Sequence, residues 1–190
     1  KSKGETHQIF EMNVDGSALT QMSNEEEGVN YFEYSPDGKH VFFTKNVKLD
    51  DSPEDIYPDL PKANVHIAEH LMYRHWNRWH DFKYSHIFVA EYAEDSIGSA
   101  VDIMEGEKYD APLSPYFDHS EILLSPDGKY LAYCCKKMPP NKYTLSTNSD
   151  IYLYNIADQT TLNLSDLNPG YDKYPVFSNN SDKLAWQSKK

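Results

Sequence analysis

The sequence predicts an all-β fold, a partial β-propeller of four-stranded antiparallel blades. The main observation is a ten-residue phrase, Tyr34–Phe43, which recurs at 124–133 and, in a worn copy, at 177–186. Each copy begins with an apolar residue and a serine, continues with turn residues, and ends in aliphatic and aromatic side chains. The two intact copies place proline second in the turn and glycine at its end, where a left-handed conformation is needed. Two strands joined by a tight turn and repeated along the chain are typical of propeller blades.

The spacing of the repeats predicts one long insertion. Ser35 and Ser125 are 90 residues apart, whereas Ser125 and Ser178 are 53 apart. The 38 residues of 47–84 lack a strand pattern, and without them the first interval falls to 52. A period near 50 lies at the long end of blade lengths. We therefore predict one propeller domain over 1–190, with a helical insertion at 47–84 inside the first whole blade.

The strand patterns predict two whole blades between two complementary half blades. The expected strands lie at 7–14, 18–22, 31–46, 86–92, 100–104, 121–124, 129–135, 150–156, 160–164 and 174–186. Propellers close with about four to eight blades, and each blade relies on its neighbours for a core. The chain is therefore expected to be part of a larger protein. Its unpaired strand edges predict self-association.

Composition excludes several classes of partner. A formal charge of −12 disfavours nucleic acid and anionic membrane surfaces, because phosphate binding needs a basic surface. No apolar run approaches the ~20 residues of a membrane span, so membrane insertion is not expected. Residues 1–7 contain no apolar segment of a secretory signal. The balance of 39% apolar and 25% charged residues is typical of a globular domain, for which we expect no cofactor.

The second half of the insertion has a helical period. Apolar residues recur there at steps of three and four, and Pro61 fits a first helical turn. They are Val65, Ala68, Met72, Trp76 and Trp79. On such a helix, His66 and His70 of the sequence His-Ile-Ala-Glu-His would lie one turn apart, as in some zinc peptidases. Because no third ligand can be assigned, we favour an amphipathic helix with polar histidines and predict no metal site.

Two adjacent cysteines carry little information. Cys134 and Cys135 lie on one expected strand, so their side chains point to opposite faces and do not pair. We expect one buried and one half-exposed thiol. No second cysteine pair exists to complete a metal or redox site.

Several motifs resemble a known family. The Ser-Pro-Asp-Gly-Lys phrase resembles the repeats of TolB-like propellers. The segments 72–79, 85–90, 146–152 and 170–177 together resemble the N-terminal propeller of the prolyl oligopeptidase family, nearest its dipeptidyl-peptidase 5 and acylaminoacyl-peptidase branch. The resemblance covers the chain from about Gln8 to Trp186. It implies a propeller that caps a C-terminal α/β-hydrolase domain and admits only short peptides.

The family's catalytic motif is not found in this sequence. A Gly-x-Ser-x-Gly elbow occurs nowhere in the 190 residues, so we assign no catalytic residue and expect no hydrolysis by this chain. The resemblance implies a periplasmic or secreted parent. An alternative of a different class is a stand-alone TolB-like propeller that binds proteins or peptides.

Two clusters in the insertion are candidate sites. Arg74, Trp76, Arg78 and Trp79 combine planar cations with large aromatics, which suits carbonyl or carboxylate recognition. They could contact substrate or the hydrolase domain; the alternative, which we favour, is that both tryptophans cover the propeller while the arginines lie in water. The second cluster is acidic and could receive a peptide's ammonium group or form a solvated loop. Its members are Asp50, Asp51, Glu54, Asp55 and Asp59.

Overall fold

The computed structural model describes residues 6–69, 71, 73–93, 96–113 and 118–189. The strands in these residues are β1 (Phe10–Glu11), β2 (Thr20–Gln21), β3 (Tyr31–Tyr34), β4 (His40–Lys48), β5 (Arg74–His75), β6 (Arg78–Trp79), β7 (Lys83–Ala93), β8 (Ser96–Ile97), β9 (Val101–Asp102), β10 (Ile122–Leu124), β11 (Tyr130–Cys135), β12 (Asp150–Asn155), β13 (Thr160–Asn163), β14 (Tyr171–Phe177) and β15 (Leu184–Lys189). The α-helices are α1 (Pro53–Ile56) and α2 (Pro140–Tyr143), and a 3₁₀ turn spans His119–Glu121. Among the described helices, none has the length and apolar character needed to cross a membrane.

The strands pair as four antiparallel sheets plus one small hairpin. Strands β1 and β2 form the first half blade, and β3, β4 and β7 form the first whole blade with β8 and β9 along β7. Strands β10 to β13 form the second whole blade in sequence order, and β14 pairs with β15 as the last half blade. This arrangement confirms the predicted fold class and the order of two whole blades between two halves.

The serine of each repeat closes its turn. Ser125 Oγ donates to Asp127 Oδ1 at 2.7 Å and accepts the backbone N–H of Tyr130 at 3.0 Å. Ser35 donates to Asp37 in the same way, at 2.6 Å. The hydroxyl thus joins the two ends of the turn, a local side-chain bond that serine and aspartate favour.

Turns of neighbouring blades contact each other. The backbone N–H of Asp127 donates to Ser181 Oγ in the worn third copy at 3.0 Å. The carboxylate of Asp37 lies against Gly128, where an added Cβ would be 2.6 Å from the Asp37 Cγ. The repeat therefore shapes each blade and also joins adjacent blades.

The core consists of apolar layers between blades. Side chains alternate along a strand, so the neighbours Phe42 and Phe43 enter different layers. Phe43 stacks on Phe88 at 5.4 Å between ring centroids, next to the first half blade. Between the two whole blades lie, among others, Phe42, Ile87, Val89, Leu124, Leu131 and Tyr133. This stacking is the packing expected of a propeller.

The two cysteines also enter different layers. Cys134 packs with Leu113 and Ile151, and Cys135 packs between the whole blades. The prediction of opposite faces is confirmed, but the expected half-exposed thiol is wrong because both are fully buried. Burial raises the pKa of both thiols, so both stay protonated at neutral pH.

The insertion differs from the predicted helix. Strands β4 and β7 pair out to Lys48 and Lys83, so the inserted segment is shorter than expected, at 49–82. Among the described residues of the insertion, the only helix is the single turn α1, and 62–69 forms neither helix nor strand. The segment expected to continue the helix forms the β5–β6 hairpin. The physical reason is composition: Tyr, His, Trp and Asn at 73–80 are weak helix formers, while aromatics suit paired strands.

Candidate functional site

The insertion lies at the end of the blades opposite the repeat turns. Strand β4 starts at a repeat turn and runs to the other end, where 49–82 emerges. Because strand direction alternates across each antiparallel blade, the connections 103–113 and 136–149 emerge at that same end. We call this end the loop face. Ion pairs join these segments: Lys108 Nζ lies 2.6 Å from Asp50 Oδ1, and Lys137 Nζ lies 2.5 Å from Glu107 Oε2. The loop face is thus cross-linked between blades.

The β5–β6 hairpin brings the four predicted site residues together. Arg74 pairs with Trp79 across the hairpin, and His75 pairs with Arg78. Arg74 Nε donates to the Trp76 carbonyl at 2.7 Å, and its guanidinium carbon lies 5.4 Å from the Trp79 ring centroid. Trp76 has φ of 49°, an uncommon conformation for a bulky residue. Arg74 therefore holds the shape of the hairpin tip.

One face of the hairpin rests on the base of the insertion. Trp79 contacts the His66 ring at 4.7 Å between centroids and stacks with Tyr73 at 5.9 Å. His66 in turn contacts Phe82 at 5.4 Å, just before β7. The tryptophans are still exposed, Trp76 by 76% and Trp79 by 54%. The alternative in which both cover the propeller does not match these exposures.

The other face of the hairpin presents Arg78. Cross-strand partners lie on the same side, so His75 and Arg78 point away from Arg74 and Trp79. Arg78 is exposed and, among the described residues, takes part in no hydrogen bond or ion pair. Its planar guanidinium can therefore donate hydrogen bonds to a carboxylate or carbonyl from outside the chain.

The acidic cluster divides into two groups. Asp50 accepts from the Tyr84 hydroxyl at 2.6 Å and pairs with Lys108; burial opposes ionisation, but these bonds hold its pKa below the ordinary value. Lys48 and Ser52 hydrogen-bond Asp55 and lower its pKa to about 2. These two carboxylates anchor the insertion to the blade. The other three are exposed and have no ion pair within the described parts of the chain: Asp51, Glu54 and Asp59.

The helix on which the zinc alternative depended does not form in the described residues. That alternative required His66 and His70 one helical turn apart, and no helix forms over 62–69. His70 lies outside the described residues, while the ring of His66 packs on Trp79 and Phe82. Within the described ranges, no group of three or more His, Cys, Asp or Glu side chains could hold a metal.

Sequence reasoning missed a buried histidine network. His86 is fully buried, with Nδ1 2.8 Å from Asp102 Oδ2 and Nε2 2.8 Å from the Glu107 carbonyl. Its partners lie 16 and 21 residues away along the chain. No local pattern marks such contacts, so nothing in the sequence could have found them.

The paired blades and repeat turns define the chain as a segment of a β-propeller. It is 44% identical over 161 residues to dipeptidyl-peptidase 5 of Porphyromonas gingivalis, covering 85% of this chain and 23% of that protein. It is 38% identical over 181 residues to dipeptidyl-peptidase 5 of Porphyromonas endodontalis, covering 95% and 26%. The chain is thus homologous to a segment of dipeptidyl-peptidase 5, which confirms the resemblance seen in its motifs. It spans about a quarter of the length of these relatives.

The remaining comparisons concern a solved structure and the family models. TolB from Acinetobacter baumannii superposes with a TM-score of 0.46 and 13% identity, covering 94% of this chain and 31% of that one. No family model matches the sequence.

Proposed function

We propose that the chain is the non-catalytic propeller segment of a serine exopeptidase of the dipeptidyl-peptidase type. In this proposal it gates the access of short peptides to a C-terminal α/β-hydrolase domain of the parent protein. The observation that carries the proposal is the 44% identity to a dipeptidyl-peptidase 5 of which the chain matches 23%. A serine hydrolase of this kind needs a Gly-x-Ser-x-Gly elbow, and this sequence contains none. The chemistry is therefore assigned to another part of the parent.

The physical basis of gating is the rigidity of stacked blades. Three buried apolar layers join the four sheets, and interblade turn contacts reinforce them. Close-packed layers of this kind resist opening, so a peptide must pass a fixed aperture and large substrates are excluded. The proposed partners are the hydrolase domain and short peptides, and neither nucleic acid nor a membrane is included.

The hairpin is proposed to contact the peptide or the hydrolase domain through the part of its Arg74–Trp79 side that stays exposed beside the base of the insertion. Exposed tryptophans and a guanidinium held against an indole offer apolar contact and hydrogen bonds to carbonyl groups. The same side contains the Trp76 carbonyl fixed by Arg74. Removing Arg74 would therefore disorder the tip as well as delete a donor.

We expect Arg74→Ala in the full-length parent to raise KM for a dipeptide-releasing peptide substrate by about tenfold, with kcat unchanged. A change confined to KM is the signature of lost binding that does not alter the chemical step. Steady-state kinetics on the purified parent measures both constants. Lys142→Ala, an exposed change in α2 on the same loop face, is the control and should leave KM unaltered. An unchanged KM in the Arg74 variant would remove this residue from the substrate path.

The proposal extends to the compartment. We propose that the parent works in the periplasm or outside the cell, as the family resemblance implies. A secretory signal at the start of the parent reading frame and activity in the periplasmic fraction are the expected results. Activity confined to the cytosol would count against this part of the proposal.

A further inference from the structure

The insertion carries opposite charges on its two halves. The acidic half, residues 50–59, contains five acidic side chains and no basic one. The basic hairpin, residues 73–80, contains two arginines and two histidines and no acidic residue, in a chain whose formal charge is −12. Both halves emerge from the same end of the β4–β7 ladder, where the backbone N–H of Asp50 donates to the carbonyl of Phe82. One surface therefore contains both signs of charge.

The exposed charges of the two halves do not satisfy each other within one copy. Asp51, Glu54 and Asp59 are exposed on the acidic half, and Arg78 is exposed on the outer side of the hairpin. In the described ranges no ion pair joins Arg78 to any of the three. These charges can be neutralised by solvent ions or by another molecule.

Large apolar side chains accompany the charges on each half. Ile56 and Tyr57 are 44% and 52% exposed in the acidic half, and Leu60 just beyond it is 59% exposed. Tyr73, Trp76 and Trp79 of the hairpin are exposed by 45% to 76%. Exposed apolar groups rimmed by charges mark protein interaction surfaces, and Trp, Tyr and Arg dominate the binding energy of interfaces.

We propose that this insertion is an interface between two copies of the chain. The basic hairpin of one copy docks on the acidic half of the other, and the reciprocal contact forms at the same time. A two-fold axis pairs a self-complementary surface with itself, so each charge match is made twice. The charge complementarity of the two halves favours a second copy over a peptide, because one surface supplies both partners. This contact is separate from the unpaired blade edges. It uses the Arg78 side of the hairpin, opposite the Arg74–Trp79 side that is proposed to contact the peptide or the hydrolase domain, and so goes beyond the proposed gating function.

Sedimentation velocity of the 190-residue chain tests the interface by charge reversal. Arg78→Glu should weaken dimerisation at least about tenfold, and so should Asp51→Lys combined with Glu54→Lys. A variant that combines Arg78→Glu, Asp51→Lys and Glu54→Lys again has opposite charges facing each other across the two-fold axis. Its dissociation constant should return to within about threefold of the starting value. Raising the salt concentration should weaken the original dimer, because exposed charges are screened.

The control is Lys142→Glu, a charge reversal on α2, which should leave the dissociation constant unchanged. All substituted side chains are exposed, so circular dichroism should show an unaltered fold. A chain that stays monomeric at about 50 µM overturns the proposal, because the dissociation constant of the dimer would then lie well above that concentration. Self-association that ignores both reversals also overturns it and assigns association to the blade edges. A monomer that binds a poly-glutamate peptide through Arg78 would instead identify an acidic peptide as the occupant.

Discussion

Replacing Asp102 with asparagine is expected to lower the free energy of unfolding by about 2–3 kcal/mol, because a buried charge-assisted hydrogen bond is lost. Both neighbours of the buried His86 ring, Asp102 Oδ2 and the Glu107 carbonyl, are acceptors at 2.8 Å. Both ring nitrogens can donate only when the imidazole is charged, so this geometry favours the charged form. Asp102 also accepts the backbone N–H of Met104 through Oδ1 at 2.9 Å. The two donors lie against different carboxylate oxygens, so in asparagine one of them would face the side-chain NH2 group, which is itself a donor.

The effect of Asp102→Asn should depend on pH. Burial alone would lower the pKa of His86, but Asp102 and the Glu107 carbonyl outweigh it and raise that pKa above the ordinary 6.5. A raised native pKa means that the stabilisation is complete below about pH 6.5 and is lost as pH rises through the native value. Lys45, opposite His86 in the ladder, and Asp110, which lies near it, are present in both proteins. The difference between the two proteins should therefore shrink at alkaline pH.

Urea unfolding at about pH 6 and about pH 9 measures this difference. Glu105→Gln, an exposed change on the same connection, is the matched control and should alter stability by less than about 0.5 kcal/mol. Equal losses at both pH values would show that His86 is not charged in the folded state.

Gly128→Ala is expected to lower the free energy of unfolding by about 3 kcal/mol. Roughly 1–2 kcal/mol of this comes from the left-handed backbone, and the rest comes from displacing Asp37. Gly128 has φ of 69°, and an added Cβ would lie 2.6 Å from Asp37 Cγ. Asp37 cannot move without cost, because it accepts from the Ser35 hydroxyl at 2.6 Å and the Lys39 N–H at 3.1 Å. The substitution would thus disturb the turns of two blades.

Gly38→Ala is the matched control for Gly128→Ala. Gly38 holds the same position in its own repeat, has φ of 70°, and has no atom within 4 Å of an added Cβ. It should cost only about 1–2 kcal/mol, the backbone part alone. In an Asp37→Ala background, Gly128→Ala should lower the free energy of unfolding by the same amount as Gly38→Ala. A double-mutant cycle of thermal or urea unfolding measures this. Equal costs for the two glycines in the native background would contradict the interblade contact.

The blades could be predicted because their chemistry is local. The serine hydroxyl, the aspartate and the left-handed glycine all act within five residues, so the phrase at Ser35 and Ser125 marks the turn directly. The insertion could not be predicted in the same way. Trp76 and Trp79 fit a helical period. In the structure, however, the backbone of this segment forms the β5–β6 hairpin, in which Arg74 pairs with Trp79. A short apolar pattern does not distinguish these outcomes.

The residues of the candidate site could be named from the sequence, but their geometry could not, and their role stays a prediction. Arg74, Trp76, Arg78 and Trp79 do lie together. The sequence could not show that Arg74 is engaged with the hairpin while Arg78 points outward, because that depends on which residues pair across strands. The division of the acidic cluster likewise depends on contacts with Lys48, Tyr84 and Lys108.

The most direct test of the account is to sequence the source reading frame beyond Lys190. We expect further blade repeats, then a Gly-x-Ser-x-Gly elbow followed by aspartate and histidine, as a serine hydrolase domain requires. That result would make this chain the gatekeeping propeller of a peptidase. A frame that closes the propeller and then stops would contradict the account and leave a stand-alone TolB-like binding module.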